Sequence, residues 1–235
     1  MLSFEMAAPW REMSFVSVDV ETTGLETDTC RIIEIGVVRF ERGQVAERWG
    51  SLVDPGEPIP AKVTEITGIT DEMVAGQPSF RDLKWEVYGR LRDRILVAYN
   101  APFDTAFVRN ELGRVGLTPP DVPVLDPLVW ARKLMPNERR HRLTAVCDKL
   151  GISLDNAHRA VDDAEAAGKV LLRFADKVAL NLGDLLAEQS DWSDAQEAAF
   201  AERRAIREAK KAAREAAKAP EPEDQAAKNQ SGLFG

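Results

Sequence analysis

Val18-Asp19-Val20-Glu21-Thr22-Thr23-Gly24-Leu25 closes an apolar, β-prone run that begins at Phe15, and its reading decides the fold. The run predicts a buried strand over Phe15 to Val20. Successive strand side chains point to opposite faces, so Asp19 and Glu21 share one. Two carboxylates side by side on a central strand are costly to bury unless a positive charge lies between them. A hard divalent cation, which takes carboxylate oxygens, meets that need. The bland alternative is an edge strand with a wet acidic face. Thr22-Thr23-Gly24 then ends the strand in a turn.

Outward from this stretch, Arg31 to Phe40 and Val45 to Val53 predict two more strands, joined through the Glu41-Arg42-Gly43 turn as antiparallel neighbours. Ala61 to Ile66 predicts a short helix. Phe80 to Arg92 carries apolar residues at helical spacing. Ile95 to Tyr99 is a short buried strand. Pro102 suits the first turn of a helix capped at Asn100 or Ala101 and running to about Leu112. Val122 to Leu125 is a last strand. Helices follow from Asp126-Pro127 to Met135, from Leu143 to Leu150, and from Val161 to Leu180. Three strands, then strands alternating with helices, indicate an α/β domain with a mixed five-stranded sheet flanked by helices.

The chain has 235 residues, enough for one packed domain and an extension, and 44% of it is apolar. Residues 1–13 read as a loose leader, with Met13 a second plausible start. Residues 14–180 read as the domain and 181–219 as a helical extension. Within that extension, the capping-box pattern Ser193-Asp194-Ala195-Gln196 opens a long charged helix over 193–218. Residues 220–235 read as a disordered tail. The net charge of −8 argues against coating nucleic acid by charge alone, but leaves room for a local basic groove. Cys30 and Cys147 match no metal or redox spacing, so plain thiols in a reducing, cytoplasmic setting are expected. No apolar run is long enough for a membrane span, and residues 1–15 lack a signal core.

The second half supplies three further chemical groups. Asp104 lies at the start of the helix after the fourth strand. His158 and Asp163 lie in His158-Arg159-Ala160-Val161-Asp162-Asp163, which opens a helix. Four carboxylates and a histidine are the parts needed for two-metal phosphodiester hydrolysis. Metal lowers the pKa of a water and stabilises the leaving oxygen, and a histidine takes the water's proton. Taken singly, Asp104 and Asp163 are ordinary helix N-terminal charges, and His158 is an exposed loop residue. The cluster Arg132-Lys133 and Arg139-Arg140-His141-Arg142 is the densest positive stretch. By default it is solvated surface, and otherwise a phosphate contact through Arg140 and Arg142.

Over residues 14–180 these motifs resemble the DEDDh (DnaQ-like) 3′→5′ exonucleases, the superfamily of the proofreading epsilon subunit of bacterial DNA polymerase III. The first motif matches at Asp19 and Glu21, the second at Asn100 and Asp104, and the third at His158 and Asp163. Arg159 stands where the sister subclass carries tyrosine, so the histidine subclass is indicated. The resemblance implies a ribonuclease H-like fold and two Mg2+ or Mn2+ ions held by Asp19, Glu21, Asp104 and Asp163. It makes His158 the general base. Thr22 and Glu21 would meet the terminal 3′ hydroxyl, and Leu25 would wedge against the last base. Relatives often carry His-Asn where this chain has Tyr99-Asn100, which bears on how Asn100 holds the substrate. The implied substrate is a single-stranded DNA 3′ end, in proofreading or repair beside a DNA polymerase. RNA ends are the alternative, and a catalytically silent recruitment module is a third reading. Gln230-Ser231-Gly232-Leu233-Phe234 resembles the short peptide by which bacterial replication proteins bind the sliding clamp. Gln230, Leu233 and Phe234 supply an amide and two apolar anchors.

Overall fold

In a computed structural model of the chain, which describes residues 4–154 and 156–216, five strands form one sheet. They are β1 (Phe15–Thr22), β2 (Ile32–Glu41), β3 (Gln44–Leu52), β4 (Ile95–Val97) and β5 (Val124–Leu125), in the order β3-β2-β1-β4-β5. β1, β2 and β3 pair antiparallel, whereas β4 and β5 join parallel after helical crossovers. The sheet is therefore mixed, as the order of elements predicts. The helices are α1 (Ala61–Thr67), α2 (Asp71–Val74), α3 (Phe80–Leu91), α4 (Ala101–Arg114), α5 (Pro127–Leu134), α6 (Leu143–Leu150), α7 (Ala160–Phe174) and α8 (Leu182–Ala216).

The strict alternation along β1 sets the two cores. Val16, Val18 and Val20 face α3 and α4 with Phe80, Val87, Phe107 and Leu112. Phe15 faces the other way, with Phe40, into a core shared by α5, α6 and α7. There Phe15 and Phe40 stack at 4.7 Å between ring centroids. Asp19 and Glu21 follow Phe15 in phase, so they point toward the α7 side. α7 lies close on the sheet because β2 carries glycine beneath it. A Cβ on Gly36 would overlap the Ala160 carbonyl and the Val161 nitrogen, and one on Gly168 would overlap the Phe40 ring.

The structure corrects the ends of the chain. The expected loose leader is built into the domain from residue 4 onward. Trp10 is fully buried, meets Trp130 edge to face, and donates its indole N–H to the Ala179 carbonyl at 3.1 Å. The backbone carbonyls of Ala8 and Met6 accept hydrogen bonds from the N–H groups of Leu182 and Gly183. The helix expected over 161–180 stops at Phe174 and gives way to a single 3-10 turn, 175–177. Ser193 does not start a helix, because α8 already begins at Leu182 and runs through it. A capping-box sequence caps only where the preceding residue leaves the helix, and Trp192 does not. Leu182 and Leu185 are fully buried in the domain core, so the division lies later than 180. The chain divides into two compact units, Met1–Ser193 and Asp194–Gly235. The clamp-like peptide Gln230-Phe234 lies outside the described residues. No helix among the described residues is long and apolar enough to cross a membrane.

Candidate active site

The acidic residues of β1 meet α7 at the end of the sheet. Ligand-capable atoms of Glu21, His158 and Asp163 all lie within 4.8 Å of one another. Three features bring α7 there. Gly36, directly opposite Asp19 on β2, leaves room for the α7 backbone. The Glu34 carboxylate, opposite Glu21, accepts the Ala160 N–H at 3.3 Å. Arg159 stands 3.8 Å from Glu34 and donates to the Thr67 carbonyl. Asp163 then turns back on its own loop and accepts the His158 N–H at 2.9 Å. His158 is exposed and holds a left-handed backbone with φ 68°. A histidine held there is strained, and such strain persists only where surrounding contacts over-determine it.

Asp104 reaches the site from the first turn of α4. Its side chain is buried, and its Oδ1 accepts the Val20 N–H at 3.0 Å, which places it beside Asp19. Asn100, just before α4, is also left-handed (φ 71°) and caps the helix without using its side chain. Asp126 holds that corner. Its carboxylate accepts N–H bonds from Asn100 and Ala101 at 3.0 Å and from Leu128 at 2.9 Å.

The electrostatics favour a bound cation. Burial pushes the Asp19 carboxyl well above the usual range, and Asp104, Asp163, Glu21 and Glu34 push it further. Glu21 is pushed up to about 7 by burial, then by Asp163 and Glu34, with only Arg159 opposing. Asp104 and Asp163 are also raised by burial, against N–H bonds from Val20 and His158 respectively. A set of oxygen donors that resist ionising together fits hard divalent ions, whose charge removes the repulsion.

The Thr22-Leu25 turn is ordered by its hydroxyls. Thr22 donates to the Gly24 carbonyl, and Thr23 donates to Glu57 while accepting the Arg31 N–H. Leu25 projects from it, 79% exposed. Arg140 and Arg142 lie on the loop between α5 and α6, exposed at Arg140 and at Arg142. The Tyr99 hydroxyl ties this loop to the end of β4 by donating to the His141 carbonyl at 2.7 Å. Four contributors escape the sequence reading: Glu34, Asp126, the Tyr99 tie, and Asp162. Asp162 pairs with Arg48 and accepts from Asn156, steadying the His158 loop. Glu34 has a signal, since it is an acid within the apolar run of the neighbouring strand, level with Glu21.

Residues 16–171 match the exonuclease family RNase_T. The chain is 40% identical over 170 residues to a PolC-type DNA polymerase III of Halalkalibacterium halodurans, covering 72% of this chain and 12% of that protein. It is 41% identical over 157 residues to its counterpart in Clostridium perfringens, covering 67% and 11%. The matched stretch thus spans about a tenth of the length of these relatives. Among solved structures, exonuclease X bound to 5′-overhanging duplex DNA superposes with a TM-score of 0.60 at 24% identity, covering 74% of this chain and 99% of that one. Escherichia coli exonuclease I bound to a dT13 oligonucleotide gives 0.62 at 20% identity, covering 70% and 41%. At these identities the structures establish the ribonuclease H-like fold.

Proposed function

Because the chain belongs to the RNase_T exonuclease family, we propose that it is a metal-dependent 3′→5′ exonuclease that trims single-stranded DNA ends and releases nucleoside 5′-monophosphates. The observation that carries this reading is the convergence of Glu21, His158 and Asp163 within 4.8 Å beside Asp19 and the buried Asp104. Two Mg2+ or Mn2+ ions held by Asp19, Glu21, Asp104 and Asp163 would supply a water of lowered pKa and charge for the leaving oxygen. His158, exposed at the rim, takes the proton of the attacking water. Thr22 and the turn it orders meet the terminal 3′ hydroxyl, and Leu25 packs on the last base. Asn100 orients the substrate through its side-chain amide, which the helix cap does not use. Arg140 and Arg142 contact phosphates upstream of the cut, adding a salt-dependent grip that carries no sequence preference.

The PolC-type relatives favour DNA over RNA and favour work beside a replicative polymerase, which supports a role in proofreading or repair. The peptide Gln230-Phe234 would tether the enzyme to a sliding clamp, raising its local concentration at DNA ends. The test is a degradation ladder on 3′- and 5′-labelled DNA and RNA of matched sequence, with and without Mg2+, beside Asp163→Asn. Metal-dependent trimming of DNA from the 3′ end that Asp163→Asn abolishes supports the proposal. Preference for RNA would transfer it to RNA ends, and an inert wild type would leave a recruitment module. Binding of the 220–235 peptide to a bacterial clamp, lost in Leu233→Ala/Phe234→Ala, tests the tether.

A further inference from the structure

β5 is the weak edge of the sheet. It has two residues, and each pairs only with β4: Val124 with Leu96, and Leu125 with Val97. The Pro123 and Leu125 carbonyls point inward and accept N–H bonds from Leu96 and Ala98. The groups between them, the Val124 carbonyl and the Asp126 N–H, therefore point outward, where a sixth strand would lie. The Gln189 side chain fills that place. Its Nε2 donates to the Val124 carbonyl at 3.0 Å, and its Oε1 accepts the Asp126 N–H at 2.7 Å. One side-chain amide thus copies the N–H and C=O that one residue of a neighbouring strand would present. The same Oε1 accepts the Trp130 indole N–H at 3.0 Å.

Asp126 is the residue whose carboxylate holds the N–H groups of Asn100 and Ala101. The left-handed backbone of Asn100 is costly, and hydrogen bonds to a charged acceptor offset that cost. The carboxylate is aimed by its own backbone, which Gln189 fixes from the far side. A continuous line of contacts runs from α8 through Gln189, Asp126 and Asn100 to the first turn of α4, which carries Asp104 into the site.

We infer that Gln189 is a positioning residue for the nucleic-acid end: through Asp126 it sets the Asn100 corner, so the start of α8 belongs to the substrate-binding machinery. The inference deepens the proposed function and rests on it for the substrate, but not for the relay itself. Gln189→Ala is compared with Trp130→Phe, which removes one bond from the same glutamine without touching Asp126. Amide hydrogen exchange at Asn100 and Ala101, read by NMR, should quicken about tenfold in Gln189→Ala and stay near wild type in Trp130→Phe. On single-stranded DNA, KM should rise about fivefold in Gln189→Ala while kcat changes less than about twofold, even where both variants lose similar Tm. Unchanged exchange at Asn100 and Ala101 in Gln189→Ala overturns the inference, as does equal exchange in both variants. Altered exchange in a protein whose wild type trims nothing upholds the relay and rejects the exonuclease.

Discussion

Replacing Glu21 by glutamine should stabilise the metal-free protein by an amount that grows above pH 4.5 and is complete above about 7. In the folded chain the Glu21 carboxyl is raised from 4.5 to about 7, first by burial and then by Asp163 and Glu34. Below pH 4.5 the folded and unfolded chains both hold the proton, and the group costs nothing. Between 4.5 and about 7 the unfolded chain has released it and the folded chain has not, so stability falls as pH rises through that window. Above about 7 the loss is complete. At about 1.36 kcal/mol per pH unit, the gap amounts to roughly 3 kcal/mol. For a domain of this size that corresponds to a Tm about 6–12 °C higher for Glu21→Gln than for wild type. The assay is calorimetry in EDTA at about pH 8 and about pH 4, taking the difference between the two proteins so that titrating groups remote from Glu21 cancel. Saturating Mg2+ at the higher pH should stabilise wild type more than the variant, narrowing the gap. A variant no more stable than wild type at the higher pH, or a gap of equal size at the lower, refutes the account of a site strained by its own charge.

His158→Gly should lower kcat by roughly 10²–10⁴-fold, the usual contribution of a positioned base, while Tm holds or rises because glycine accepts the left-handed backbone freely. A rate within a few-fold of wild type would remove the base. Gly36→Ala should cost about 1–3 kcal/mol by overpacking against the α7 backbone at Ala160, and should depress kcat with it. Denaturant midpoints and single-turnover rates would reveal either effect alone, which would contradict the shared seat of α7. Tyr99→Phe should cost about 1 kcal/mol and raise KM for DNA several-fold by freeing the loop that carries Arg140 and Arg142. An unchanged KM across a salt titration would show that this loop does not touch the strand.

Much of this site can be read in the chain because its parts obey short-range rules. The alternation of Asp19 and Glu21 follows from strand geometry, and Pro102 marks the start of the helix that brings Asp104. The same rules are silent where long-range contacts decide. Trp10 lies in a mixed apolar and charged stretch with no periodicity, and long-range contacts with Trp130, the Ala179 carbonyl and the Leu180 carbonyl explain its burial. Asp126 looks like a helix-opening aspartate and is one, since it accepts from Leu128, but its bonds to Asn100 and Ala101 come from across a crossover. Gln189 sits in a stretch that reads as polar helix, and nothing local says that its amide completes a sheet edge. Ser193 misleads for the opposite reason: its cap pattern is genuine, yet the helix before it is already running.

The dependence of α7 on Gly36 and Glu34 also has a consequence for the life of the chain as it is made. Asp19 and Glu21 emerge early, Asp104 midway, and Asp163 only near the end of the domain. Docking of α7 on β2 closes contacts between segments far apart in sequence, which form late because the chain between them must first be ordered. A growing or half-folded chain therefore displays the strand carboxylates without the histidine or the last aspartate. On the proposed function, the complete set of acidic residues and the histidine would therefore come together only as the domain closes.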